Sequence, residues 1–270
     1  MSIYITGDKH GNFKDFLYPG TLNSRRVDKS DYRIITGDFG GIFYGTREEE
    51  ISLDLLELCA PFTILFVDGN HENFELLKHY PVTSWHGGEV QFIRPHIIHL
   101  MRGNCYMIEN QTFFVMGGAQ SPDITDGILE ADDPDLQKKI DEMEAEGKCL
   151  YRTRGLDWFP EEMPSDQELK KGIEVLKQHG NSVDYILTHA APTLVADHFS
   201  EGRFEPNYLT EYFEKIRKNV TFRTWYCGHY HADVDYVLEE KQYRILYHRV
   251  MRVPTSGQAG KIWELRRWMS

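Results

Sequence analysis

Five times along its 270 residues the chain repeats one move: a short apolar run stops abruptly and hands over to residues bearing a carboxylate, an amide or an imidazole. Ile64-Leu65-Phe66-Val67 is the clearest case, bounded by Pro61 and by Asp68-Gly69, after which come Asn70, His71 and Glu72. A run this short and continuously apolar suits a buried strand and not a helix. Gly69 lets the chain turn where another residue would clash. In the same way Ile3-Tyr4-Ile5-Thr6 passes into Gly7-Asp8-Lys9-His10-Gly11, and Tyr32 to Thr36 into Gly37-Asp38-Phe39-Gly40-Gly41. Tyr185 to Thr188 ends in His189-Ala190-Ala191-Pro192, and Thr224-Trp225-Tyr226 in Cys227-Gly228-His229-Tyr230-His231. Residues two apart on an extended backbone point the same way, so Asp8 and His10 reach one point in space, which is metal-ligand spacing.

Between these runs lie helical patterns: a short one near 13–18, an amphipathic one over 48–59 with Ile51, Leu55 and Leu58 as its apolar stripe, and one over 72–79 closed by Pro81. Ser165 to Glu168 is a capping box, opening a helix with Leu169, Ile173 and Leu176 as its stripe and Gly180 as its stop. Strand, helix and strand at this spacing read as βαβ units, hence an α/β fold with helices packed on a sheet. From 90 to 116 the texture changes to short strands in antiparallel hairpins, and Gly117-Gly118-Ala119 then offers a close backbone approach to the strand ends. The runs at 234–237, 243–247 and 263–268 read as strands completing a second sheet. One domain over 1–270 is expected. Within it, the polar stretch 121–164 is an irregular acidic insertion of the kind used as a lid or binding loop. There, Arg152 or Arg154 is expected to meet a phosphate and Trp158 to stack on a ring.

In α/β sheets, ligand sites gather at the carboxyl ends of strands. Singly, Asp8 or Asp38 after glycine is a turn residue, and a buried His189 is a hydrogen-bonded core histidine. Five strand ends carrying such residues are far better explained by one shared site. The remaining histidines, at 79, 86, 96, 99, 179, 198 and 248, lack this placement and read as structural.

Composition narrows the function. A hydrophobic content of 41% builds a large core, and no apolar run is long enough to cross a bilayer. The first residues enter a strand pattern with no export leader, so a cytoplasmic location is expected. Cys59, Cys105, Cys149 and Cys227 are scattered, which fits reduced thiols and neither a zinc knuckle nor a disulfide framework. A formal net charge of −12 argues against duplex nucleic acid as a general partner. Carboxylates, imidazoles and one amide oxygen are ligands for Mn²⁺, Fe or Zn²⁺. There are enough for two ions, with Asp38 able to bridge them. Two ions about 3.5–4 Å apart hold a hydroxide and clamp both sides of an in-line displacement at phosphorus, which points to phosphoester hydrolysis.

Asp8-x-His10, Gly37-Asp38, Gly69-Asn70-His71-Glu72, His189 and Gly228-His229-x-His231, in this order across nearly the whole chain, closely resemble the calcineurin-like metallophosphoesterases. The resemblance implies a four-layer α/β/β/α sandwich with two central mixed sheets and the site at the strand carboxyl ends. It implies that Asp8, His10, Asp38 and His231 hold one divalent ion, and Asp38, Asn70, His189 and His229 a second, with Mn²⁺ the first expectation. His71 would be the unligated histidine that contacts the phosphate and helps the leaving oxygen depart. The protein-phosphatase branch places an Asp and an Arg three and four positions after its metal Asp, whereas this chain has Gly41 and Ile42 there. A bacterial-type hydrolase of a small phosphomonoester or phosphodiester is therefore expected, with no membrane partner. The alternatives are a nuclease acting on single strands or ends, a Ser/Thr protein phosphatase, and a non-catalytic metal-binding module. A metallo-β-lactamase would need His-x-His-x-Asp-His early in the chain, and the His-x-His here is late.

Overall fold

The computed structural model describes residues 1–17, 27–202 and 205–254. Its elements begin with β1 (Ile3–Thr6), α1 (Lys14–Leu17), β2 (Tyr32–Thr36), α2 (Arg47–Cys59), β3 (Thr63–Val67) and α3 (Phe74–Leu77). Five strands follow: β4 (Val82–Trp85), β5 (Gly88–Arg94), β6 (Ile97–Leu100), β7 (Asn104–Ile108) and β8 (Gln111–Met116). Next come β9 (Gly127–Glu130), α4 (Leu136–Ala145), β10 (Tyr151–Arg154), a 3₁₀ turn at Pro160–Glu162 and α5 (Asp166–Gln178). The chain continues through β11 (Tyr185–Thr188), α6 (Thr193–Ser200), α7 (Tyr208–Asn219), β12 (Thr224–Cys227), β13 (Val234–Leu238), β14 (Lys241–Ile245) and β15 (Met251–Arg252).

Two mixed sheets carry the fold. One runs β15-β1-β2-β3-β6-β5-β4 and the other β13-β14-β12-β11-β8-β7. In the first, β1, β2, β3 and β6 are parallel. In the second, β14, β12, β11 and β8 are parallel. Antiparallel strands close the edges of both. The period of two along each strand sorts side chains between layers. Leu65 and Val67 of β3 join Phe113, Val115, Tyr185 and Leu187 of the facing sheet in the central core. Ile64 and Phe66 point outward to Leu53 and Leu56 of α2 and Phe74 of α3. On the far side Phe114, Met116 and Ile186 pack under Leu176 of α5 and Phe213 and Ile216 of α7. The result is a helix, sheet, sheet, helix stack. Burying each such side chain is worth about 1.5–3 kcal/mol, so a one-residue slip of a central strand would turn all of its apolar groups to the wrong layer.

Several expectations are corrected. Ile51, Leu55 and Leu58 are 48%, 50% and 78% exposed, and α2 buries Leu53 and Leu56 instead. Apolar residues occupy two faces of this helix, and polar partners fix its rotation: Arg94 bonds Glu50 and Asp54 at 2.6 and 2.7 Å, and His96 meets Glu57 at 2.6 Å. The helix expected from 72 starts at Phe74, because Glu72 is turned toward the neighbouring loops and Asn73 takes the cap, accepting from the Leu76 N–H. The hairpins at 90–116 form, but β6 joins β3 in one sheet and β8 joins β11 in the other. The insertion 121–164 is more regular than expected, with β9 and β10 paired as a parallel ribbon and α4 beside them. α1 covers 14–17 of the expected 13–18, with residue 18 outside the described residues, as is the strand expected at 263–268. No helix among the described residues is long and apolar enough to cross a membrane.

Candidate metal centre

Every residue singled out at a strand end lies just past the carboxyl end of a parallel strand. Asp8 and His10 follow β1, Asp38 follows β2, Asn70 and His71 follow β3, His189 follows β11, and His229 and His231 follow β12. The backbone there is bent hard. His10, Asp38, His229 and His231 adopt positive φ of 47°, 47°, 70° and 47°, a region that costs a side-chain-bearing residue free energy and persists where surrounding structure imposes it. Strand ends also approach one another more closely than a side chain allows. A Cβ on Gly69 would stand 2.1 Å from Asp38 Oδ1, and one on Gly228 2.1 Å from Asp8 Oδ1.

One ligand atom from each of Asp8, His10, Asp38 and His231 lies within 4.8 Å of the others. His10 Nε2 and His231 Nε2 face each other at 2.9 Å. His231 Nε2 is 3.3 Å from Asp8 Oδ2, and His10 Nε2 is 3.7 Å from Asp38 Oδ2. On the other side of Asp38, His189 Nε2 lies 3.2 Å from Oδ1 and 3.2 Å from Asn70 Oδ1, and the His189 and His229 rings are 5.0 Å apart. Asp38 thus turns one oxygen to each group of donors. Two imidazole nitrogens converging between two carboxylates form a donor set that suits a borderline divalent cation, so these residues fit the metal expected here.

Positive charge is favoured at His189 and not at its neighbour His229. Burial opposes ionisation of Asp38, yet His189, followed by His71 and His10, pulls its carboxyl far below the ordinary carboxylate range. His189 is buried, which disfavours its charged form, but Asp38 and Asp8 override this and hold its imidazole at about 10. Burial, and then the charge on His189, pushes His229 down to about 4. His189 Nδ1 is anchored by the Thr36 carbonyl at 2.9 Å, which leaves Nε2 aimed at Asp38 and Asn70. Orienting a ligand through its second nitrogen in this way is the usual support for a metal-binding histidine.

His71 is half-buried. Its backbone N–H donates to Asp38 Oδ1 at 2.9 Å, and its ring lies edge-on to His10 at 4.9 Å and beside Phe43 at 6.2 Å. Packing between two rings therefore sets its direction where the sequence offered no carboxylate to do so. Arg152 and Arg154 are engaged elsewhere: Arg152 pairs with Asp123, and Arg154 meets Glu130 at 3.0 Å while its guanidinium lies over the Trp158 ring at 4.9 Å. Cys227, next to Gly228, is buried and burial raises its thiol well above the usual range, so it is not poised for oxidation.

Other residues that hold the candidate site together had no role assigned from sequence. Glu72 is fully buried and accepts the N–H groups of Phe39 at 2.6 Å and Gly69 at 2.7 Å, tying the β2 loop to the β3 loop. Asp68 is held at about 2 despite burial, by Arg102 and then by His99, and Arg102 Nε donates to it at 2.6 Å. The Gly117-Gly118 turn does approach this loop, with the Gly118 N–H on the Asp68 carbonyl at 2.9 Å. Ser121 accepts from Asn70 Nδ2 at 3.3 Å. Glu72 belongs to the motif itself, whereas Ser121 and its partners sit in a polar stretch with no periodic signal.

A four-layer α/β/β/α fold with carboxylate, amide and imidazole donors at its strand ends defines a class of metal-binding phosphoesterases. Residues 1–233 match the family model described as calcineurin-like phosphoesterase. The chain belongs to this family and is a hydrolytic phosphoesterase. No curated protein matches it. Similar solved structures include a phosphopantetheinyl hydrolase from Mycobacterium tuberculosis, at 13% identity and TM-score 0.45, covering 93% of this chain and 95% of that one. Another is a putative 5′-nucleotidase from Staphylococcus aureus, at 15% identity and TM-score 0.43, covering 93% of this chain and 50% of that one. Neither likeness bears on the substrate.

Proposed function

We propose that the protein is a binuclear metal-dependent hydrolase of a small phosphoester. The observation that carries this reading is the position of Asp38, with Oδ2 facing His10 at 3.7 Å and Oδ1 facing His189 at 3.2 Å. Asp8, His10, Asp38 and His231 would hold one divalent ion and Asp38, Asn70, His189 and His229 the other, with Mn²⁺ first and Fe or Zn²⁺ next by donor type. When bound, such ions supply Lewis acidity at the phosphoryl oxygens and make water a nucleophile at neutral pH. The chain's own residues orient and protonate. His71, fixed by His10 and Phe43, gives its proton to the departing oxygen.

Beside His229 and Tyr230 opens a cavity of about 330 Å³, bordered by Ser121, Thr193 and Asn207, a size that suits a small organic moiety. Among the described residues lining it, Glu205 is the acidic one and none is Lys or Arg, which favours a small ester over a nucleic acid strand. The test is hydrolysis of nitrophenyl phosphate and bis-nitrophenyl phosphate by the Mn²⁺-loaded protein, with an oligonucleotide in parallel and metal analysis of the same sample. We expect turnover of at least one nitrophenyl ester and about two ions per chain, with activity lost on chelation and restored by Mn²⁺. Turnover that resists a chelator would overturn the mechanism, and preference for the oligonucleotide would favour a nuclease.

A further inference from the structure

We infer that Ser121 and Glu162 are positioning residues that set which end of the Asn70 amide faces the second metal position. This inference rests on the binuclear reading. The amide of Asn70 is buried and has one oxygen and one nitrogen to assign. On one side Asn70 Oδ1 lies toward His189 Nε2. On the other, Asn70 Nδ2 donates to Ser121 Oγ, and Ser121 Oγ donates to Glu162 Oε2 at 2.6 Å. Glu162 Oε1 meanwhile accepts the Ser121 N–H at 2.9 Å. A carboxylate that takes the hydroxyl proton of Ser121 leaves Oγ with lone pairs toward Asn70. A lone pair there can meet only the NH₂ end of the amide, so the carbonyl oxygen is turned to the ligand side.

The turn that carries this carboxylate is held through its backbone. Glu162 and Ser121 are 1% and 5% exposed. Arg102, clamped to Asp68 at 2.5 Å, also donates to the Glu161 carbonyl at 2.8 Å, and the Ala119 N–H donates to the Glu162 carbonyl at 3.1 Å. Asp68 lies two residues before Asn70, so the contacts close a ring: Asp68, Arg102, the 3₁₀ turn, Glu162, Ser121, Asn70. The insertion between 121 and 162 begins and ends on this ring, which makes it part of the support for a metal ligand.

Glu162→Gln keeps the shape and reverses the polarity. Its amide oxygen retains the Ser121 N–H, its NH₂ then faces Oγ, and the hydroxyl must give its proton to Asn70 instead. The Asn70 amide turns over and presents NH₂ where an oxygen is needed. Loss of an outer hydrogen-bond partner typically weakens metal binding about 10–100-fold. The experiment is calorimetric titration of the metal-free full-length protein with Mn²⁺, for wild type, Glu162→Gln, Ser121→Ala and Ser121→Thr. Glu162→Gln and Ser121→Ala are expected to bind one ion as the wild type does and the other at least tenfold more weakly, while Ser121→Thr, which keeps the hydroxyl, retains both. Two unchanged affinities in Glu162→Gln, or equal weakening of both ions, would refute the inference while leaving the binuclear reading intact. A wild type that binds a single ion would instead sink that reading and the inference with it.

Discussion

Asp38→Asn is expected to abolish hydrolysis of nitrophenyl phosphate, with a fall of at least about a thousand-fold, corresponding to about 4 kcal/mol of lost transition-state stabilisation. Asp38 is the residue that both donor groups share, with His10 on one oxygen and His189 on the other. An amide in its place keeps an acceptor for the His71 N–H but removes the negative charge that His189 and His10 face. Metal content measured on the purified variant should fall together with turnover. Wild-type turnover in Asp38→Asn would mean that the reaction runs elsewhere.

Gly69→Ala should have the second largest effect. An added Cβ would lie 2.1 Å from Asp38 Oδ1, 2.6 Å from the Asp38 backbone nitrogen and 2.8 Å from His189 Cδ2. The backbone nitrogen cannot swing away, so the β2 and β3 loops must part. Overpacking of this kind costs about 3 kcal/mol, which in a chain of this size lowers the melting temperature by about 6–12 °C. Because the displaced group is Asp38 itself, activity should fall as well. Calorimetry and a turnover assay on the same preparation check both, and a variant that melts and turns over like the wild type would show that the loops are not seated against each other.

Much of the candidate site was legible because strand ends in an α/β fold carry their chemistry in adjacent residues. Gly-Asp, Gly-Asn-His and Gly-His-x-His each announce a turn and a donor within three or four positions. The central strands were equally readable, since burial on both faces makes them continuous apolar runs. Rotation of α2 was not, because Ile51, Leu55 and Leu58 form as regular a stripe as the residues that are buried. The choice between the faces is made by Arg94 and His96, far away in the chain. The 3₁₀ turn that brings Glu162 to Ser121 was equally hidden, since a contact spanning 41 residues leaves no local pattern. Arg152 and Arg154 were read as phosphate holders from their charge and their place in a long insertion, and the acids that pair with them in the structure, Asp123 and Glu130, lie more than twenty residues upstream.

Asp8, His10, Asp38 and Asn70 come from one sheet, whereas His189, His229 and His231 come from the other. Cations bound among them would act as rivets between two halves that already meet through apolar contact and a few polar links such as His189 to the Thr36 carbonyl. Resistance to unfolding should then track metal supply, with each tightly held ion adding about 2.7 kcal/mol at a free concentration one hundred times its dissociation constant. Thermal melts with and without Mn²⁺ would register this as a rise in the melting temperature with added metal.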